Sequence, residues 1–402
     1  MRNPDYWKRW WERFGYSPVL GDVRPVLWIH AVSVGEVHAT KPLINQLLKD
    51  YPQYQILITT MTPTGALSVQ QNFADTVKHR YLPYDLPGSV KRFITRIQPR
   101  LFVVMETELW PNLFYYCGVR SIPVILANAR MSEKSTRGYM RLSILTRKTL
   151  TDISWIAAQS QADADRLIRL GAVPDRVTVT GNLKFDIKLP YSLVEQSESL
   201  RRKLSVNRPV WIAASTHEGE ENIILDAFAN VLNEHRQCLL IIAPRHPERC
   251  NKVVELCEKH GYQTMRKSQA VSFNKHMQVF VLDTLGELPM FYAASDIAFI
   301  GGSLVSAGGH NMMEPASLGV PVIIGPYVHN FMEISQLLQE SGAAWIVSDA
   351  EQLAGKVNEL LADANLRHSA GEKGRKIVET NRGGTNLLMR NLQPYLVKNA
   401  TS

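Results

Sequence analysis

Residues 297–325 read IAFIGGSLVSAGGHNMMEPASLGVPVIIG, and their pattern decides the fold. An apolar run ends in Gly301 and Gly302, and a second glycine pair follows at Gly308 and Gly309. A helix is expected to open near Asn311 and run toward Gly319, after which PVIIG returns to apolar residues. Short apolar runs between turn signals read as strands buried on both faces, and the order strand, glycine loop, helix, strand reads as a parallel β-α-β unit.

The same alternation occupies most of the chain. PVWIAAS, CLLIIAP and VFVLD precede the stretch as strands of the same series, while VLWIHAV, QILITTM, LFVVME, PVILANA and WIAAQS form an earlier series from Val26 onward. Between the two lie VTVTGNLKFD (177–186) and the polar IKLPYSLVEQSESLRRKLSVNRP, which contains Pro190. The expected organisation is a Rossmann-like domain over 1–186, a linker over 187–207, a second Rossmann-like domain over 208–384, and a C-terminal helix over 385–402 that crosses back. A chain of 402 residues is long enough for two such cores. Ligands of open parallel sheets sit beyond the carboxyl ends of the strands, so a site in a cleft between the domains is expected.

Hydrophobic residues at 45% and charged residues at 20% exclude a disordered or fibrous chain. The net charge of +8, from 45 basic and 37 acidic residues, suits an anionic partner without choosing among phosphate ligands, nucleic acid and acidic lipid. Cys117, Cys238, Cys250 and Cys257 lack any C-x-x-C spacing and read as reduced thiols in a cytoplasmic protein. No run approaches the roughly 20 apolar residues of a membrane span. The first sixteen residues, MRNPDYWKRWWERFGY, mix aromatic rings with Lys8, Arg9 and Arg13. Two readings fit: a helix at an anionic membrane interface, or a terminal helix packed on its own domain.

Three strand ends of the second series carry groups suited to a nucleotide. Gly301 to Gly309 would let backbone approach a phosphate before the amides of a helix start. Glu314 in that helix could accept from ribose hydroxyls or merely complement the helix dipole. Arg245 and His246 in IIAPRHPER, and Gly286 and Glu287 in DTLGELPMFYAASD, stand at the other two strand ends, where an Arg fork can neutralise phosphate. The first series offers Glu106 and Glu108 in METELWPN and Lys184 in NLKFD, as cleft chemistry or as caps and ion pairs. Ser33 and Glu36 in AVSVGEVHA have capping-box spacing, and Glu36 also stands where a general base would face a cleft. Asp163 and Asp165 have a spacing used by metal-dependent sugar transferases, but their place in the first turn of an amphipathic helix favours capping. His30 and His217 follow strands without metal-ligand spacing.

Together SVGEV, METELWPN, NLKFD, APRHPER, GELPMFY and GGSLVSAGGHNMMEPA resemble the transferases of 3-deoxy-D-manno-octulosonic acid (Kdo) that build the lipid A region of lipopolysaccharide in Gram-negative bacteria. The motifs occur in order over nearly the whole chain. The resemblance implies an α/β GT-B fold of two Rossmann-like domains, and a metal-independent inverting transfer from CMP-Kdo to the 6'-hydroxyl of lipid IVA. It implies Glu36 as proton acceptor, with Glu106 and Lys184 supporting the transition state. It places the CMP site at Arg245, His246, Gly286, Glu287, Leu288, Asn311, Met312, Met313 and Glu314. It further implies no cofactor, no nucleic-acid partner, and action on an anionic membrane at the cytoplasmic face of the inner membrane. The family's N-terminus commonly carries an apolar anchor, and here membrane attachment is expected to fall to the aromatic and basic start. Less favoured are another GT-B sugar transferase, a two-carboxylate glycoside hydrolase using Glu36 and Glu106, and a non-catalytic lipid-binding protein.

Overall fold

The computed structural model describes residues 4–187, 189, 192–204, 207–269 and 276–397. The chain divides into two compact units, Met1–Asp186 with Asn381–Ser402, and Ile187–Thr380.

In the first unit, β1 (Val26–His30), β2 (Gln55–Thr60), β3 (Lys78–Tyr81), β4 (Pro99–Met105), β5 (Val124–Ala129), β6 (Trp155–Ala158) and β7 (Val177–Val179) form one sheet. Its order is β3-β2-β1-β4-β5-β6-β7 and every pair is parallel. Both faces are covered, which is why β1 is apolar throughout instead of alternating. Leu27 and Ile29 pack with Leu43, Ile44 and Leu47 of the helix Val34–Asp50 and with Leu388, Leu392 and Leu396 of the helix Gly384–Val397. Val26 and Trp28 face the other way, where the Trp28 ring stacks on Phe102 at 3.7 Å between centroids. Tyr54 Oη donates to the Leu396 carbonyl at 2.7 Å, tying the chain's last helix to this unit.

The second unit contains β8 (Val210–Thr216), β9 (Leu239–Pro244), β10 (Thr264–Arg266), β11 (Val279–Val281), β12 (Ile297–Ile300), β13 (Val322–Ile324) and β14 (Ala344–Ile346). Their order is β10-β11-β9-β8-β12-β13-β14, again wholly parallel. In each unit the chain winds outward from one central strand in both directions. The reversal falls between β1 and β4 in the first sheet and between β8 and β12 in the second. Loops at such a reversal diverge and leave a crevice at the strands' carboxyl ends.

Three strands escape the sequence pattern: β3 (KHRY), β10 (TMR) and β14 (AWI). All three are edge strands. An edge strand pairs on one side only, so it needs neither length nor a continuous apolar run. The stretch read as a linker differs too, because Leu193–Leu204 within it is a helix of the second unit. Its Leu193, Leu200 and Leu204 are buried, and Arg201 donates to both carboxylate oxygens of Asp296 at 3.2 and 3.0 Å. Pro190 lies outside the described residues.

At the N-terminus the expected helix is instead two short 3-10 turns, Pro4–Trp7 and Trp10–Phe14. Glu12 is buried there and accepts the Tyr81 amide at 2.9 Å, while Arg13 donates to the Met61 carbonyl and lies over the Tyr81 ring. Two of the charges are thus spent on docking the segment to its own unit. Trp7, at 74% exposure, and Trp10 remain open to solvent.

Candidate active site

Glu36 and Glu106 follow the two neighbouring strands at the first reversal, Glu36 in the first turn of the helix after β1 and Glu106 directly after β4. Glu36 is only 8% exposed. Its Oε2 accepts the Val32 amide at 2.7 Å and its Oε1 accepts the Ser33 hydroxyl at 3.1 Å. Neither bond of a capping box forms, since the carboxylate takes the amide of Val32 instead of that of the N-cap residue Ser33. Ser33 occupies the N-cap position but makes no side-chain bond to the helix amides, and its hydroxyl turns to the carboxylate.

Two hydrogen bonds and a helix start would hold a carboxylate acidic, yet burial outweighs them. Desolvation first, then the neighbouring Glu106 charge, pushes Glu36 up to about 8, with Glu108 adding in the same direction. Glu108 is itself raised, by burial and then by Glu106. The ionised Glu36 that a helix start alone implies is thus overruled: near neutral pH its carboxyl is largely protonated and readily regains a proton.

Glu106 has a left-handed backbone, φ 55°, at which the strand breaks and the chain turns away. Its Oε1 lies 3.6 Å from Lys184 Nζ. Lys184 sits on the turn Leu183–Phe185, which Asn128 holds through an Oδ1 bond from the Leu183 amide at 3.0 Å. Asn128 is fully buried and also left-handed, with φ 56°. Asparagine tolerates that region because its short amide bonds locally. Sequence reasoning missed Asn128, although ANA at a strand end is a small polar residue where a buried apolar one would pack.

In the second unit Arg245 and His246 follow β9 and are exposed. Gly286 has φ 85° and precedes Glu287 and Leu288, where the helix Leu288–Ala293 begins. Glu287 accepts the Thr284 hydroxyl and stands 3.6 Å from Lys267 Nζ. Asn311 Oδ1 accepts the Met313 amide at 3.1 Å, while its Nδ2 donates to Glu314 Oε1 at 3.0 Å. Burial first, and then the Glu314 charge, raises the Tyr292 hydroxyl well above its ordinary value, so the helix after Gly286 and the loop after β12 lie close together.

Two expectations need correction here. The helix after the glycine loop is short, Met313–Ser317, and Met312 and Met313 turn their side chains into the core. Only their backbone could meet a ligand, and the Met313 amide is already taken. Nor are the glycines simply a phosphate cradle. A Cβ on Gly301 would lie 2.6 Å from the Ser215 carbonyl oxygen, and one on Gly308 would lie 2.3 Å from Asn330 Nδ2. Backbone packing already requires glycine at Gly301, and the left-handed φ of 98° favours it at Gly308.

What organises this end of the sheet is Glu220, absent from the sequence reading. It is fully buried at the start of the helix Glu220–Glu234. Its Oε2 accepts the His217 and Gly302 amides at 2.8 and 2.7 Å, and its Oε1 accepts those of Ser303 and Leu304 at 3.0 and 2.9 Å. One carboxylate thus joins the loop after β8 to the loop after β12. The next residue, Glu221, receives Arg249 on both oxygens at 2.8 and 3.1 Å. Consecutive acids in HEGEEN were the available signal.

Asp163 belongs to a helix start that Ser160 caps. The Ser160 hydroxyl accepts the Asp163 amide at 3.2 Å, and Asp163 Oδ1 accepts the Met131 amide at 2.8 Å. All four cysteines are free thiols inside the cores, and burial pushes Cys117, Cys238 and Cys257 up to about 12. No described helix is long and apolar enough to cross a membrane.

Residues 8–187 match the family model described as 3-deoxy-D-manno-octulosonic-acid transferase (kdotransferase), and residues 206–377 match glycosyl transferases group 1. The chain is 42% identical to the 3-deoxy-D-manno-octulosonic acid transferase of Haemophilus influenzae, over 99% of this chain and 94% of that one. It is 34% identical to the Bordetella pertussis protein of the same name, over 92% and 87%. Among solved structures, the UDP-GlcNAc 2-epimerase of Neisseria meningitidis bound to UDP-GlcNAc superposes with a TM-score of 0.56 at 16% identity, covering 92% of this chain and all of that one. That last likeness is one of fold. The observed architecture is the α/β GT-B class expected from the sequence.

Proposed function

Because the chain belongs to the 3-deoxy-D-manno-octulosonic-acid transferase family, a family of glycosyltransferases, we propose that it moves Kdo from CMP-Kdo to the 6'-hydroxyl of lipid IVA in lipopolysaccharide biosynthesis, with inversion and without a metal. In this reading Glu36 takes the proton of the acceptor hydroxyl as that oxygen attacks the anomeric carbon of Kdo. The bond from that carbon to the phosphate oxygen breaks, its electron pair stays on the phosphate, and CMP leaves. A single in-line displacement inverts the configuration.

The observation that carries the reading is the state of Glu36, a buried carboxyl raised to about 8 beside Glu106 and Glu108. A base of that pKa is far better matched to a sugar hydroxyl than an exposed carboxylate near 4. Burial first, and then the charge of Glu106, whose Oε1 stands 3.6 Å from the Lys184 ammonium, lifts Glu36. The donor's nucleotide is assigned to the second unit: Arg245 and His246 for phosphate, the Gly286–Leu288 turn for the base, and Asn311 with Glu314 for ribose.

The proposed place of action is the cytoplasmic face of the inner membrane, with the exposed Trp7 and Trp10 as interfacial contacts for an anionic lipid surface. Purified protein, CMP-Kdo and lipid IVA give the test, with mass spectrometry of the lipid as readout. A Kdo-bearing product from wild type and none from Glu36→Ala, which still binds CMP, is expected. Near-normal turnover by Glu36→Ala overturns the base assignment, and no product from wild type overturns the activity.

A further inference from the structure

Beyond the residues that the family motifs single out, the second unit holds two histidines in direct contact across its reversal point. His217 follows β8 and His310 lies in the loop after β12. Their Nε2 atoms are 2.7 Å apart, and the rings lie nearly parallel, 10° between planes and 5.0 Å between centroids. The arrangement is built into the backbone. The His217 amide is fixed by Glu220, and a Cβ on Gly302 would lie 3.0 Å from His310 Cδ2 and 3.4 Å from His217 Cδ2, so both rings fold over that glycine.

A nitrogen-nitrogen distance of 2.7 Å admits one proton and no more. Two bare nitrogens would oppose lone pairs, and two N–H groups would overlap their hydrogens. In the neutral pair, therefore, one ring carries Nε2–H with a bare Nδ1, and the other carries Nδ1–H with a bare Nε2. One further proton can enter, at the bare Nδ1. A second cannot, because it would have to enter between the rings. The pair thus has two states: neutral, with one donor and one acceptor on its far edges, or singly positive, with a donor on each.

The surroundings set the resting state. His217 is lowered from its ordinary value first by burial, then by His246, Arg249 and Arg245 from the loop after β9, against which Glu220 acts. Arg249 is held by Glu221, Arg245 has an exposed side chain, and His329 lies beyond Gly308. The cations of this loop disfavour a positive charge on His217 when nothing is bound, and an arriving anion reverses the balance.

We propose that the His217–His310 pair is the proton-accepting half of the donor's phosphate site: neutral when empty, and taking one proton from solvent when a phosphate monoester binds. The proposal rests on the nucleotide-donor reading above. It gives the pair a role distinct from that of Arg245, which is positive whether the site is filled or empty. Its chemical sense lies in the leaving group, since breaking the sugar-phosphate bond turns a diester bearing one negative charge into a monoester that can bear two. A contact whose positive charge appears with that second charge favours the departed state over the bound donor.

The test is calorimetric titration of the full chain with CMP and with cytidine at pH 7.5, each in two buffers of different ionisation enthalpy. Wild type is expected to take up close to one proton per CMP and none per cytidine. His217→Gln and His310→Gln should each abolish the uptake and weaken CMP about tenfold or more, while cytidine binds as to wild type, which also shows that the variants are folded. CMP binding without proton uptake, or variants that retain wild-type CMP affinity and uptake, overturns the histidine pair and leaves the donor reading standing. Failure of wild type to bind either compound overturns the donor reading and the pair with it.

Discussion

Lys184 sets its ammonium 3.6 Å from Glu106 Oε1, across the turn that Asn128 anchors. The pair is partly exposed, so its own contribution to stability is small. Its consequence is electrostatic: after burial, the Glu106 charge is the next largest influence raising Glu36, and a cation 3.6 Å from Glu106 offsets part of that charge.

Removing the ammonium should therefore move the base. Lys184→Met is expected to shift the alkaline-rising limb of the pH-rate profile to higher pH, as Glu106 acts on Glu36 without compensation. The measurement is kcat against pH from 6 to 10, and a shift to lower pH would contradict this electrostatic order.

Glu36 also couples stability to pH. Its folded pKa of about 8 lies above the ordinary 4.5, so the folded state holds a proton that the unfolded chain has released. Stability from this group is complete below 4.5 and falls as pH rises toward 8, by at most ~5 kcal/mol at about 1.4 kcal/mol per pKa unit. Glu36→Gln keeps the uncharged form at every pH. Its Tm advantage over wild type should be near zero at pH 4 and grow through pH 8. A constant difference across that range would refute the raised pKa.

Glu220→Ala leaves four backbone amides, two of them buried, without their acceptor. A loss of about 3 kcal/mol or more is expected in urea unfolding, with weaker CMP binding as the loops after β8 and β12 separate. Glu220→Gln, which retains one acceptor oxygen, should lie between the two.

Asn128→Gly keeps the left-handed conformation and removes only the bond to Leu183. Stability should fall by about 1 kcal/mol, and kcat by about tenfold as Lys184 loses its anchor, with the donor KM unchanged. A change confined to KM would assign Asn128 to the wrong unit's chemistry.

Glu314→Ala should raise the donor KM several-fold and leave kcat nearly intact. An unchanged KM counts against a ribose contact.

Pattern alone was enough for the fold class, because a strand covered on both faces must be continuously apolar, and β1, β5, β8 and β9 announce themselves that way. Motif spacing was also enough to place Glu36, Glu106 and Lys184 at strand ends. Sequence could not reveal β3, β10 and β14, whose edge positions release them from the apolar rule, nor the helix Leu193–Leu204, whose polar face hid its buried leucines. Only the tertiary structure decided the state of Glu36. Its local signals, a helix start and a nearby serine, argue for a low pKa, and burial beside two more acids overrides them. The His217–His310 contact and the four amides on Glu220 were likewise invisible, since each joins loops about 80 to 90 residues apart in the chain, and such contacts exist only once two strands lie side by side.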